Sequence, residues 1–177
     1  VTDIGCSLFA LYAILTAYIG RQKSGEGQHI DASLYDAGIA FAVWDICEYW
    51  GTGNVPERIG TANRMAAPYQ AVEASDGYFV FGANNDRLYQ RLCEVIGRPD
   101  LLDNPDYATN ALRMANREAL IGELEKSFVQ WTRAECVDTL LAVGIPAGPI
   151  NDYAEALEND HARERDVVIK IDHPIEG

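Results

Sequence analysis

Basic residues are scarce in this chain. Lys and Arg number 14 against 27 Asp and Glu, so the formal net charge is −13 at pH 7. Nucleic-acid binding is driven by Lys and Arg side chains that release counterions from phosphates, and no basic cluster stands out in the sequence. We therefore exclude nucleic acid as a partner, and an anionic ligand would need a local basic site.

Metal-ligating residues are also few and poorly spaced. The three histidines form no HxxxH pair, and no CxxC pair occurs among the four cysteines, which are Cys6, Cys47, Cys93 and Cys136. Zinc sites need clustered ligands, and small disulfide frameworks need closely spaced cysteines. The sequence predicts no metal, and it predicts reduced, buried thiols of a cytoplasmic protein.

No apolar run is long enough to cross a bilayer. The candidate stretch, residues 4–19, is interrupted by Gly5, Ser7 and Thr16 and falls short of the ~20 apolar residues that a span needs. It lacks the basic region of a signal peptide, and the chain does not begin with Met. Apolar residues on every side of its helical wheel predict a helix buried inside a larger domain, with no membrane partner.

The first third of the chain has the pattern of an α/β layer. The apolar helix stops at Gly20, and the residues SGEG (24–27) predict a turn. Alternation over 29–34 predicts a short strand, and a second apolar helix should span about 34–50. Residues 51–56, GTGNVP, are the best candidate for a linker.

Shorter, more amphipathic elements follow the linker. A hairpin is predicted around Asp76-Gly77 as the central residues of a type I′ turn, and Thr132 with Glu135 predicts a capping box. The other predicted elements are a helix over 86–96, a helix opened by Asn116 that buries Ala119, Leu120, Leu124, Phe128 and Trp131, an extended segment over 145–150, a helix over 152–158, and a last strand over 167–171 stopped by 172–174.

Asp3 stands at the mouth of the apolar helix. Taken alone, an aspartate there is most often an N-cap. The order of its motifs is more specific: Asp3 before the helix, RQKSGEGQ at 21–28, IDASL at 30–34, PY at 68–69, SDG at 75–77 and GIPAGP at 144–149. In joint order and spacing they resemble the class III CoA-transferase family, which includes formyl-CoA transferases, L-carnitine CoA-transferases and α-methylacyl-CoA racemases.

The resemblance implies an α/β fold from the middle of a longer, interlocked-dimer protein. It assigns residues 1–50 to a large Rossmann-like CoA-binding domain, 51–63 to a linker, 64–165 to a small α/β domain, and 166–177 to a strand and return linker towards the large domain. The expected assembly is a cytoplasmic homodimer.

The resemblance also implies the chemistry. Asp3 would be the covalent nucleophile that moves CoA between an acyl-CoA and a carboxylic acid, both of which are substrates, with no permanently bound cofactor. Ile4 and Gly5 would contact the substrate through their backbone, and Gly60, Asn63 and Arg64 would bind it from a loop. Because this loop has one glycine where formyl-CoA transferases are glycine-rich, the formyl-CoA and oxalate pair is disfavoured.

Two alternatives stay open at this point. In an α-methylacyl-CoA racemase, Asp3 would act as an acid/base partner to a histidine on an upstream segment. In the second alternative, the 177-residue chain is an inactive truncated assembly module, for which we expect no turnover by this chain alone.

Overall fold

The computed structural model describes residues 1–172 and 174–175. The chain folds into two compact units, Val1–Arg58 and Ile59–Gly177. Ten α-helices and three β-strands lie within the described residues. This mixture of helix and sheet confirms the predicted α/β class.

The first unit is helical. Its elements are α1 (Thr2–Ser24), α2 (Leu34–Phe41) and α3 (Val43–Thr52). Gly25 ends α1 in the left-handed region, with φ of 77° and an amide that donates to Arg21, because a residue without Cβ adopts this conformation at little cost. The Ser33 side chain caps α2 by accepting from the Asp36 amide at 3.0 Å.

Two predictions in this unit were wrong. The apolar stretch over 34–50 is two helices, because the Ala42 amide donates to both Gly38 and Ile39 and its φ of −89° and ψ of 17° end the first helix. The strand over 29–34 is absent, since no strand of the described part of the first unit offers it a hydrogen-bonding edge.

Helix α1 packs against α2 along one side and leaves most of its apolar surface exposed. A Cβ on Gly5 would meet the ring of Phe41 at 2.2 Å, and the rings of Phe9 and Phe41 stack with centroids 6.0 Å apart. Gly5 is the one buried residue of α1, whereas Tyr12 is 60% and Ile14 is 54% exposed. The burial of α1 inside a larger domain stays a prediction.

By length and composition, α1 is long and apolar enough to cross a membrane. The prediction that no apolar run reaches this length was therefore wrong. Only 6% of the most apolar window of α1 is buried. This is weak evidence for a span, because core helices and signal sequences have the same property.

The second unit contains an antiparallel three-stranded sheet. The strands β1 (Tyr69–Ala74), β2 (Gly77–Gly82) and β3 (Ala147–Pro149) lie in the order β1-β2-β3. This confirms the hairpin and the extended segment after Gly144.

The turn of the hairpin differs by one residue from the prediction. Ala74 pairs with Gly77, so the central residues are Ser75 and Asp76. Neither has positive φ, while Gly77 has a φ of 141°, and the turn is therefore not type I′. The cause lies outside the hairpin, because the Asp76 carboxylate accepts a hydrogen bond from the Arg133 amide at 2.7 Å.

The other elements of this unit are helical. They are α4 (Asp86–Val95), α5 (Pro99–Asp103), a 3₁₀ turn (Pro105–Tyr107), α6 (Asn110–Ala115), α7 (Arg117–Phe128), α8 (Arg133–Ala142), α9 (Tyr153–Glu158) and α10 (Asp160–Glu164). The capping box of Thr132 and Glu135 is confirmed. The prediction of a last strand over 167–171 was wrong, because within the described residues no strand edge pairs with this segment. Residues 173, 176 and 177, which belong to the predicted 166–177 segment, lie outside the described residues.

The core of this unit is aromatic at its centre. Phe79 and Phe81 share one face of β2, and each meets Phe128 of α7 edge-on, with centroids 5.1 and 5.4 Å apart. Leu120 and Leu124 are fully buried beside Phe128. The predicted face of α7 is thus confirmed for these residues, but Ala119 on the same helix is exposed.

Arg113 of α6 is fully buried within this unit. Its guanidinium donates to the carbonyl oxygens of Ala67 and Tyr107 at 2.9 and 3.0 Å, and to the Asp86 carboxylate at 2.7 Å. It also lies 4.4 Å from the ring centroid of Tyr89, a cation–π contact. One side chain therefore joins the loop before β1, the 3₁₀ turn and the start of α4.

We predict that Arg113→Met lowers the free energy of unfolding by about 3 kcal/mol, because it leaves two buried carbonyl oxygens without donors. The measurement is equilibrium urea unfolding followed by circular dichroism. The matched control is Arg163→Met, since Arg163 is 66% exposed in its ion pair with Asp160 and should change stability by less than about 0.5 kcal/mol. An equal loss of unfolding free energy in the two variants would contradict the stabilising role of the buried Arg113 side chain.

Candidate active site

Asp3 lies inside the first turn of α1 and is exposed. The N-cap position belongs to Val1, and no side chain caps this helix start. The carbonyl oxygen of Asp3 accepts from the Ser7 hydroxyl at 3.0 Å.

Ile4 and Gly5 follow Asp3 in the same turn but differ in environment. Ile4 is 70% exposed. Gly5 is buried, its amide donates to the Val1 carbonyl at 2.9 Å, and the space where a side chain would be is filled by Phe41. The structure thus gives Gly5 a packing role between α1 and α2, and its amide hydrogen is already bonded.

Gly60, Asn63 and Arg64 lie in the loop that opens the second unit. Gly60 has a φ of 62° with open space around its Cα. The Asn63 side-chain oxygen accepts from the amides of Met65 and Ala66 at 2.8 and 3.1 Å. Asn63 therefore shapes the loop through its side-chain oxygen, and Arg64, which follows it, is partly buried.

The predicted site residues fall into two local groups. Asp3, Ile4 and Gly5 are consecutive in the first unit, and Gly60, Asn63 and Arg64 share one loop in the second. Within each group the structure brings the residues together. Their assignment to substrate binding stays a prediction.

Three clefts lie elsewhere on the two units. The cleft of the first unit measures about 340 Å³, and Asp31 and Asp36 line it. In the second unit, one cleft of about 680 Å³ is lined by Arg91 and Gly144. The other cleft of the second unit measures about 400 Å³ and is lined by Asp76, Arg133 and Glu155. None of the three is lined by a predicted site residue. Two aspartates make the cleft of the first unit unsuited to the phosphates of CoA.

In the 400 Å³ cleft of the second unit, acidic residues hold the Arg133 side chain. The Arg133 guanidinium donates to the Glu155 carboxylate at 2.7 Å and to the Ile150 carbonyl at 2.9 Å, and it lies 3.7 Å from the Asp76 carboxylate. The Arg133 hydrogen bond, helped by the Asp152 amide, lowers the pKa of Glu155 to about 2. This arginine is therefore engaged and does not offer an open anion site.

The four cysteines are free thiols with different exposure. Cys93 and Cys136 are buried, and burial raises the pKa of each to about 11, so both stay protonated and inert near neutral pH. Cys47, however, is exposed, contrary to the prediction of buried thiols. Over residues 1–172 and 174–175, no group of three or more His, Cys, Asp or Glu is arranged to hold a metal ion.

Three polar residues that order the loop of Gly60 were missed by the sequence analysis. Asn110, Arg113 and Arg117 all bond to the backbone between Asn63 and Ala67. Arginines in a helical pattern are typical of solvated faces, which hides this role. The available signal was their spacing of three and four residues in a segment otherwise rich in apolar side chains.

We predict that Glu155 stabilises the fold only above acidic pH. Its pKa falls from an ordinary 4.5 to about 2 on folding, so its contribution is complete above about pH 5 and is lost as pH falls from about 4.5 to 2. The stability difference between the native protein and Glu155→Gln, measured by urea unfolding, should shrink over that range. Glu158→Gln, on the same exposed helix, is the control, and an equal pH dependence for it would refute the assignment.

The family model described as CoA-transferase family III matches residues 1–177. Two curated relatives cover nearly the whole chain. The chain is 35% identical over 170 residues to the acetyl-CoA:oxalate CoA-transferase of Acetobacter aceti, covering 96% of this chain and 44% of the relative. It is 32% identical over 177 residues to the human succinyl-CoA:glutarate CoA-transferase, covering 100% of this chain and 40% of the relative.

A solved structure has the same fold. The crystal structure of a CAIB/BAIF family protein from Brucella suis superimposes with a TM-score of 0.81 at 36% identity, over 93% of this chain and 43% of that chain. The chain thus spans about two fifths of the length of the relatives that it matches.

Proposed function

The chain belongs to CoA-transferase family III, and from this membership we propose that the protein moves CoA from an acyl-CoA to a free carboxylic acid through Asp3. The observation that carries the proposal is the placement of Asp3, an exposed carboxylate near the start of α1. The names of two relatives, which specify CoA transfer to oxalate and glutarate, support it. Both named acids are dicarboxylic, and we propose a dicarboxylic acid as the acceptor.

A carboxylate nucleophile suits a transfer between two carboxylic acids. The Asp3 carboxylate attacks the thioester carbonyl carbon. The C–S bond of the resulting tetrahedral intermediate breaks, which releases CoA as a thiolate and leaves a mixed anhydride of Asp3 and the acyl group. The thiolate attacks the Asp3 carbonyl carbon and displaces the donor acid as a carboxylate. Asp3 then carries CoA as a thioester.

The second half repeats these steps with the acceptor. Its carboxylate attacks the Asp3 thioester, which forms a second anhydride and releases the thiolate. The thiolate attacks the acceptor acyl carbon, and the new acyl-CoA leaves with Asp3 restored as a carboxylate. Each bond made is matched by one broken, so the transfer is nearly balanced in free energy.

Each tetrahedral step develops an oxyanion near the start of α1. The positive end of the helix dipole favours negative charge there, and the backbone around Ile4 is the proposed donor. The Gly5 amide is bonded to Val1, so in this account Gly5 contributes by bringing α1 and α2 together. A donor set that bound the resting carboxylate too firmly would slow the attack, because catalysis requires tighter binding of the transition state.

The loop of Gly60, Asn63 and Arg64 is our candidate for binding the acceptor acid. A guanidinium such as that of Arg64 binds a carboxylate with two parallel hydrogen bonds. Oxalate stays among the candidate acids despite the single glycine of this loop, since a 35% identical relative is named for it. The cytoplasmic, interlocked homodimer stays a prediction of the family resemblance.

Racemisation remains the alternative within the family. It also uses Asp3, but it exchanges the α-proton of the acyl group with solvent and leaves CoA on the same acyl group. A labelled carboxylic acid that acquires CoA distinguishes transfer from racemisation. Transfer by the 177-residue chain alone would exclude the inactive assembly module.

We predict that Asp3→Asn in the full-length protein lowers kcat for CoA transfer by about 10⁴-fold or more, the scale of losing a covalent nucleophile. The assay follows labelled acid into acyl-CoA. Asp36→Asn is the matched control, because Asp36 is likewise exposed in the first turn of a helix in the same unit, and it should keep kcat within about threefold. Full activity in Asp3→Asn would refute the proposal.

A further inference from the structure

The loop over 59–68, which we call the substrate loop, contains no helix or strand but is tightly hydrogen-bonded. Within it, the Asn63 side chain accepts from two amides, and the Ala62 amide donates to the Ile59 carbonyl at 3.2 Å. At its end, the Ala83 amide donates to the Pro68 carbonyl at 2.9 Å. These bonds order the backbone of the loop, which favours binding of a substrate in one orientation.

Side chains of α6 and α7 supply further contacts to the loop. Asn110 donates to the Met65 carbonyl at 2.9 Å and accepts from the Ala67 amide at 3.1 Å. Arg113 donates to the Ala67 carbonyl at 2.9 Å. These two residues fix the part of the loop that leads into β1.

Arg117 holds the other part, next to Arg64. Its guanidinium donates to the Asn63 carbonyl at 2.6 Å and, more weakly, to the Ala66 carbonyl at 3.5 Å. These carbonyls lie on either side of Arg64 and Met65. The position of the Arg64 backbone is therefore set by a side chain outside the loop.

Arg117, like Arg91, has no carboxylate partner within the described residues, whereas Arg98 and Arg113 do. Its acceptors within the described part of the chain are two carbonyls and the sulfur of Met114, and burial lowers the pKa of its guanidinium. Arg98 is paired with Asp100 and Glu123, and Arg113 with Asp86. Arg117 thus keeps a positive charge under the substrate loop that no carboxylate in residues 1–172 or 174–175 neutralises.

We propose that Arg117 is a positioning residue for the acceptor acid: it fixes the substrate loop on both sides of Arg64, and its charge attracts the acceptor carboxylate to that loop. This inference rests on the proposed function, because it needs a carboxylic acid bound at the loop. Arg117 acts through the backbone and through its field, and it does not touch the reacting atoms.

The test compares Arg117→Met and Arg98→Met in the full-length protein, with acceptor KM, acyl-CoA KM, kcat and melting temperature measured for each. Arg98 is the matched control, since its side chain is 22% exposed and also donates to a backbone carbonyl, that of Glu123. We expect Arg117→Met to raise the acceptor KM about tenfold with kcat within about threefold. Arg98→Met should lower the melting temperature while leaving the acceptor KM unchanged.

Salt dependence separates positioning from a general loss of stability. The acceptor KM of the native protein should rise with ionic strength, and that rise should be smaller in Arg117→Met, because the screened charge has been removed. Arg117→Lys keeps the positive charge, but an ammonium has fewer donors than a guanidinium and does not hold them in a fixed plane. Its acceptor KM should therefore be raised about threefold and should depend on ionic strength as in the native protein. Arg117→Lys serves as the test if Arg117→Met does not fold.

Three results would overturn the inference. An unchanged acceptor KM in both Arg117 variants would show that the substrate does not depend on the position of the loop. An equal rise in KM for Arg98→Met would make the effect one of stability. Failure of the native full-length protein to transfer CoA to any dicarboxylic acid would refute the proposed function, and the role of Arg117 with it.

Discussion

The second unit depends on the burial of one guanidinium. A buried cation is strongly unfavourable unless its donors are satisfied, and Arg113 is fully buried with bonds to two carbonyls and one carboxylate. Those acceptors come from the substrate loop, the 3₁₀ turn and the start of α4, so the three segments are joined at one point. The ring of Tyr89 covers the guanidinium, and burial raises the pKa of that tyrosine, which keeps it neutral. The aromatic core and the substrate loop are thereby parts of the same packed body.

The chain uses its scarce cations internally. Of its 14 Lys and Arg, the arginines at 91, 98, 113, 117 and 133 each donate to a backbone carbonyl. Such arginines order loops and helix ends rather than form an open basic surface. In a chain of net charge −13, Arg91 and Arg117 bond to loops and have no carboxylate partner within the described residues, and the loop held by Arg117 is the one proposed to bind substrate.

Sequence reasoning succeeded where the signal is local. The hairpin, the capping box of Thr132 and the helix opened by Asn116 follow from short-range preferences, and the family resemblance followed from the order of motifs. It failed where the partner is distant. The strands over 29–34 and 167–171 have suitable patterns but no pairing edge within the described residues, and the hairpin turn moved by one residue because Asp76 bonds to Arg133, 57 positions away. The catalytic role of Asp3 was predicted from resemblance alone, whereas Arg113 and Arg117 resembled ordinary surface residues until their acceptors were known.

The central claim is that Asp3 becomes covalently attached to CoA. The most direct measurement mixes the full-length protein with an acyl-CoA in the absence of acceptor, quenches the reaction in acid, and locates the adduct on peptides by mass spectrometry. The account predicts a CoA thioester on Asp3, which disappears when a dicarboxylic acid is added before the quench. An adduct on a different residue, or an actively transferring protein that forms no adduct on Asp3, would contradict it.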